Sequence, residues 1–241
     1  MALIMNLIKR LKQQWRSILI GYRFWKIVQA PYGDFKGIGQ LSAAITDEEN
    51  AKQMLGFLSR YPQGKQALQE LPRLGKVDLQ QLHQLPTYTL GYIYADHMLK
   101  NGFNPPPTSE AHDVASFLSA HLLETHDIWH VVTGCDANKA GEIKLQGFYA
   151  AQIYPSKLWL AMLAKNLMKT ALEDIELCGD HLDALAQGWM LGKRAKPLFG
   201  IQWNTLWETP LEKLREQLNL QELPISTEAN EAGLNQIANL V

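Results

Sequence analysis

The chain has 241 residues, of which 46% are hydrophobic and 20% charged, with a formal net charge of −1. That apolar share supplies a globular core and argues against disorder, while the near-neutral balance gives no overall bias toward nucleic acid. The two cysteines, Cys135 and Cys178, stand in no paired metal or redox spacing and fit a reducing compartment.

Taken in chain order, residues 1 to 33 carry Lys9, Arg10, Lys12, Arg16, Arg23 and Lys26 and no acid. Leu3, Ile4, Leu7, Ile8, Leu11, Trp15, Ile18, Leu19 and Tyr22 recur at three-and-four spacing, which predicts a basic amphipathic helix. Such a helix suits a membrane surface, with Trp15, Phe24 and Trp25 at the headgroup boundary and each cation adding about 1 kcal/mol of attraction. It equally suits a first core helix with a solvated basic face. A mitochondrial targeting helix is a third reading, weakened by a single serine, Ser17. No apolar run reaches the roughly 18 residues that cross a bilayer, and the N-terminus has no secretory pattern, so neither crossing nor export is expected.

The breakers between Ala30 and Gly39 predict a connection, and Thr46 or Asp47 then caps a helix to about Arg60, closed by Tyr61-Pro62-Gln63-Gly64. Short helices follow near Lys65 to Glu70 and from about Leu79 to the residue before Pro86. A longer one spans Thr87 to Asn101 and stops at Gly102-Phe103-Asn104-Pro105-Pro106-Pro107. Residues 109 to 133 give one or two helices ending at Gly134, a natural C-cap, and the next helix runs from near Ala137 to about Tyr154 before Pro155. Helices over residues 156 to 178, 180 to 196 and 210 to 219 complete a chain without strand-type alternation. The fold class is all-α: a single-domain multi-helix bundle in which residues 1–30 form the N-terminal helix, 31–220 the helical domain and 221–241 a tail.

His126 and His130 lie four residues apart, so one helical face presents both imidazoles, with Asp127 on the flank of that face. Across the Gly134 turn, Glu142 stands about as far from the connection as His130, and a helical hairpin brings the two level. Two imidazoles with one or two carboxylates suit zinc and also iron(II) or manganese. Apolar neighbours, among them Ile128, Trp129, Val131 and Ile143, make unpaired carboxylates costly, which favours a metal; a buried histidine–carboxylate network without one is the competing reading. The zinc-protease motif is excluded because Asp127 stands where it requires glutamate. Nucleophile elbows, phosphate-binding glycine loops and dinucleotide fingerprints are absent.

At His126-Asp-Ile-Trp-His-Val-Val-Thr-Gly134 and Gly141-Glu142 the sequence resembles the ubiquinone (coenzyme Q) biosynthesis family whose eukaryotic member is the fourth protein of that pathway. The likeness extends through Pro31-Tyr-Gly-Asp34, Pro62-Gln-Gly-Lys65, Pro72-Arg73 and Thr89-Leu-Gly-Tyr-Ile-Tyr-Ala95 to Gly188-Trp-Met-Leu-Gly-Lys-Arg-Ala-Lys-Pro-Leu198, Trp203 and Pro210 to Leu218, roughly residues 28 to 220. The resemblance implies an all-helical fold, peripheral membrane attachment, binding of polyprenyl quinone precursors, a metal usually taken as zinc, and a homodimer. It also implies one of two roles: removal of the C1 carboxyl group from a prenylated hydroxybenzoate, or a non-catalytic scaffold that organises the other quinone biosynthesis enzymes around a structural metal.

In the enzyme reading His126, His130 and Glu142 are ligands, Asp127 and Glu142 act in catalysis with Asp127 also able to ligate, and Lys193, Arg194 and Lys196 are candidates to orient the substrate carboxylate. Those three cations also read as ordinary helix C-terminal charges. Trp189, Trp203, Trp207, Leu158, Trp159, Met162 and Met168 are candidates for an isoprenoid groove or for plain core, Gly188 and Gly192 for close helix packing, and His97 beside Asp96 for a local polar pair. Without a recognisable transit peptide, the expected location is the cytoplasmic face of a bacterial inner membrane, or the mitochondrial inner membrane if the host is eukaryotic.

Overall fold

A computed structural model describes residues 2–31, 34–106, 111–154 and 156–221, and of residues 2–4 and 35 the backbone alone. The described residues form an all-α single domain with no strand, only an isolated antiparallel bridge between Thr89 and Pro210. Its helices are α1 (Ala2–Gln29), α2 (Phe35–Ile45), α3 (Glu48–Leu58), α4 (Pro62–Glu70), α5 (Leu79–Leu82), α6 (Leu90–Lys100), α7 (Val114–Thr133), α8 (Lys139–Ile153), α9 (Lys157–Glu173), α10 (Cys178–Arg194) and α11 (Leu211–Gln217), with 3₁₀ turns at Ile175–Leu177 and Trp203–Thr205. The tail from residue 222 lies outside the described residues.

Capping side chains fix most of the helix starts. The carboxylate of Asp47 accepts from the Asn50 amide, and Asp113 and Ser116 form a reciprocal capping box. Asn138 and Ser156 accept from Gly141 and Trp159 in the same way. One expected connection is instead a helix: within residues 30–39 the chain already turns helical at Phe35, because Asp34 accepts from the Gly37 amide and nucleates α2 despite its two glycines. Pro62 likewise does not close α3 so much as open α4, where its missing N–H costs nothing at the first helical position. The expected Leu79 helix is a single turn, and α6 begins at Leu90 rather than Thr87 because the Thr89 hydroxyl caps the Tyr92 amide.

The centre of the fold is α8, which is buried nearly all round its axis, as a helix enclosed by others must be. α10 runs parallel to it at backbone contact: a Cβ on Gly188 would lie 1.8 Å from the Lys144 carbonyl oxygen, so only glycine permits that approach. On another side α9 runs antiparallel, joined by Asn166 donating to Gln146 at 2.8 Å and by the Tyr149–Trp159 stack at 4.7 Å. The main core gathers side chains from α3 to α8, α10 and α11, including Trp129, Phe148, Leu191 and Leu214. A second cluster of Ile27, Leu41, Ile45 and Met162 joins α1, α2 and α9.

α1 divides in two. Ile20, Phe24, Ile27 and Val28 pack inward, and the buried ammonium of Lys169 donates to the carbonyls of Val28 and Ala30 at the helix end. Arg16 and Arg23 donate to the carbonyls of Ala44 and Gln40 on α2. From Met5 to Leu19 the apolar residues are exposed, Trp15 at 70%, beside Lys9, Arg10 and Lys12, so the core-helix reading describes the second half of α1 and leaves this stretch uncovered. Among the described residues no helix is long and apolar enough to cross a membrane.

Candidate metal centre

The end of α7 is held from outside and from within. Gly134 terminates the helix in the left-handed region at φ 69°, and Arg215 of α11 donates to the terminal carbonyls of Val131 and Val132 at 2.9 and 3.1 Å. Five residues later α8 starts on its Asn138 cap, so that Glu142, in the first turn, returns toward His130.

The three side chains converge. Glu142 Oε1 lies 3.2 Å from Nε2 of His130 and 4.0 Å from Nε2 of His126, and one ligand atom from each residue lies within 4.8 Å of the others. The two imidazoles meet edge to face with centroids 4.8 Å apart. His130 is 2% exposed, and its Nδ1 lies 2.9 Å from the Cys135 carbonyl oxygen, which places the Nδ1 proton there and turns the other nitrogen's lone pair to Glu142. A lone pair facing a carboxylate oxygen at that distance requires a proton or a cation between them.

The electrostatics carry the same tension. Burial opposes charging His130, yet its hydrogen bond to Glu142 and that carboxylate's charge raise its pKa above the ordinary value. Burial also opposes the Glu142 carboxylate, but His130, His126 and Lys165 outweigh it and lower its pKa. His126 is pushed down to about 4 by burial and by the neighbouring His130, against the pull of Glu142, so it stands neutral with a lone pair to offer. Asp127 lies outside the converging trio: half-buried on α7, its carboxyl is raised by burial and by the like charge of Glu142, against the pull of His130.

Donor type and spacing both fit one divalent cation. Ligands about 2.0–2.2 Å from a tetrahedral ion lie about 3–3.5 Å apart, and the His130–Glu142 separation of 3.2 Å already meets that, while His126, 4.0 Å from Glu142 in a trio spread over at most 4.8 Å, would have to close in. Two imidazoles and a carboxylate leave a fourth position, the donor set of open rather than closed sites.

The remaining sequence candidates are distributed. Lys193 is exposed above the Trp189 ring at 5.9 Å, Arg194 donates to the Gln221 carbonyl, and Lys196 is exposed with its amide bonded to the Leu218 carbonyl. Gly192, beside them, packs against the Phe148 backbone, six residues or about 9 Å along α8 from Glu142. Trp203 is buried core, Trp207 stacks on Tyr94 at 5.3 Å, Trp159 stacks on Tyr149, and Trp189 and Met168 face outward. His97 is no local pair with Asp96: that carboxylate meets His83 and Lys100 at 3.4 and 2.7 Å, while the His97 ring stacks on His130 at 6.0 Å.

Lys165 and Tyr149 escaped the sequence reading, and His97 was read there without its place beside the centre. His97 shares with His130, Cys135 and Asp136 the wall of an open recess of about 260 Å³. Lys165 on α9 is 4% exposed, and burial together with Lys169 lowers its pKa to about 8 while Glu142 pulls it up. Tyr149 sits against His126, and its place seven residues after Glu142, on the same face of α8, was a readable signal. Lys165 gave none, since a lysine in an amphipathic helix reads as solvated.

The molecule is thus an all-helical protein with a two-histidine, one-glutamate centre where two consecutive helices meet. The profile of the family described as coenzyme Q (ubiquinone) biosynthesis protein Coq4 matches residues 10–224, and the chain belongs to that family, with a role in ubiquinone biosynthesis. Among curated relatives, the mitochondrial ubiquinone biosynthesis protein COQ4 homolog of Danio rerio is 31% identical over 68% of this chain, and COQ4 of Eremothecium gossypii is 29% identical over 67%. The matches span 62% and 51% of those two relatives' lengths. A crystal structure of a protein from Nostoc punctiforme PCC 73102 shares the fold at a TM-score of 0.73 and 24% identity, covering 86% of this chain and 99% of that one.

Proposed function

We propose that the protein is a metal-dependent, peripheral-membrane component of ubiquinone biosynthesis that binds a polyprenylated hydroxybenzoate and removes its C1 carboxyl group. The observation that carries this reading is the convergence of His126, His130 and Glu142 on one point. His126 and His130 through Nε2 and Glu142 through Oε1 hold the ion, zinc, iron(II) or manganese, and when bound it supplies Lewis-acid stabilisation of negative charge on the substrate oxygens. Of the trio, His130 lines the open recess, which it shares with His97, Asp96 and Lys100. Asp127, next to His126 and half-buried on α7, is the carboxyl nearest in sequence to the trio and the candidate to ligate or to hold a metal-bound water. Lys193, Arg194 and Lys196 form the outlying cationic cluster that draws the anionic precursor in.

The uncovered half of α1 supports attachment to an anionic leaflet: Leu7, Leu11, Trp15 and Ile18 are exposed between basic residues. In a bacterium this leaflet is the cytoplasmic face of the inner membrane and in a eukaryote that of the mitochondrial inner membrane, the relatives' names describing those proteins as mitochondrial. A homodimer contacting other quinone biosynthesis enzymes completes the reading. The test is turnover of the carboxylated prenyl phenol by metal-loaded protein on vesicles. Loss of the carboxyl carbon with wild type but not with folded Glu142→Gln supports the enzyme, and no turnover with any of the three metals leaves the scaffold role with a structural ion.

A further inference from the structure

Each histidine of the centre has a partner at Nδ1, but the two partners differ in kind. His130 uses a backbone carbonyl, that of Cys135. His126 uses a side chain: its Nδ1 lies 3.5 Å from the hydroxyl oxygen of Tyr149, at the outer limit of hydrogen-bond reach. That hydroxyl has little freedom. The Tyr149 ring is stacked between Trp129, at 4.4 Å and 15°, and Trp159, at 4.7 Å and 10°, and the residue is 2% exposed. A phenol hydroxyl can donate or accept, so the 3.5 Å contact joins the two groups and the His126 tautomer sets its direction.

We propose that Tyr149 is a positioning residue of the centre: its clamped hydroxyl oxygen accepts the Nδ1–H of His126 and thereby leaves that ring's Nε2 lone pair facing His130 and Glu142. The consequence for metal binding rests on the reading of the trio as a metal centre, whereas the tautomer of His126 does not. With Nδ1 protonated, both imidazoles present an unprotonated Nε2 to the same point, the arrangement that a carboxylate or carbonyl partner usually enforces in metal sites. Without the hydroxyl, an Nδ1 proton loses its acceptor and the Nε2–H tautomer of His126 gains, its proton turned to Glu142 Oε1, now 4.0 Å away, where it blocks the position.

The experiment uses the full chain labelled with ¹⁵N-histidine. In metal-free wild type, long-range ¹H–¹⁵N spectra above pH 7 are expected to show His126 as the Nδ1–H tautomer, and in Tyr149→Phe, which keeps the stacked ring, a shift toward Nε2–H. In parallel, Zn²⁺ affinity is expected to fall about 10- to 100-fold in Tyr149→Phe, with a changed visible spectrum of bound Co²⁺ and an unchanged Tm within a few degrees. An Nε2–H tautomer in wild type, or a tautomer unchanged in the variant, overturns the proposal. A wild type that takes up neither ion sinks the metal reading instead, and the tautomer measurement then decides the role of Tyr149 alone.

Discussion

Helix α7 carries two buried polar clusters one turn apart, and they are built on opposite plans. In the first, the Glu124 carboxylate accepts from the Arg73 guanidinium and from the Leu74 amide at 3.1 Å, and the buried His121 accepts from the Gly200 amide at 3.2 Å. Every group there is answered by a complementary one, and the cluster joins the segment after α4 to α7 and to the Gly200 turn. In the second, two imidazoles and a carboxylate crowd one point, and His130 and Glu142, 3.2 Å apart, need a proton or a cation between them. Like-natured acceptors gathered at one point weaken a fold unless something positive sits among them. The first cluster is a structural tie, and the second depends on the proton or cation at its centre.

Breaking each cluster should separate the two roles. Glu124→Ala deprives Arg73 and the Leu74 amide of a buried carboxylate and is expected to cost about 3–5 kcal/mol in urea unfolding. Glu142→Gln, at a side chain 22% exposed where the amide can still hydrogen-bond His130, is expected to change metal-free stability by no more than about 1 kcal/mol. Equal losses in the two variants would erase the distinction.

Acid sharpens it further. Burial lowers the pKa of His121 from 6.5 to about 4, so the unfolded chain takes up the proton first. The stability this neutral histidine secures is present above pH 6.5 and is lost as pH falls toward 4, by about 3 kcal/mol at the low end. His121→Gln is expected to flatten the dependence of the urea midpoint on pH between those limits, and an undiminished slope would assign it elsewhere. The smallest effect is expected at Cys135, whose contribution to His130 comes from its backbone carbonyl. Cys135→Ala should cost about 1 kcal/mol of packing and leave Zn²⁺ affinity within about twofold of wild type.

Much of this was legible from residues alone. Asp47 announces α3 and Gly134 the end of α7 by capping chemistry, and the spacing of His126, His130 and Glu142 around Gly134 foretells their meeting. What stayed hidden needed long-range contact. α2 was masked by the glycines that the Asp34 cap overrides, and Asp96 chose His83 and Lys100 over its neighbour His97. The Arg73–Glu124 tie joins residues 51 positions apart, a distance over which no local pattern operates.

The central claim is that the second cluster exists to hold an ion. Metal analysis of the purified full chain tests it most directly, with Glu142→Gln and Cys135→Ala prepared alongside. About one divalent metal per chain is expected in wild type and Cys135→Ala, with loss in a Glu142→Gln protein of unchanged Tm. A folded wild type that carries no metal and takes up none from millimolar zinc, iron(II) or manganese would contradict the account, as would full metal content in Glu142→Gln.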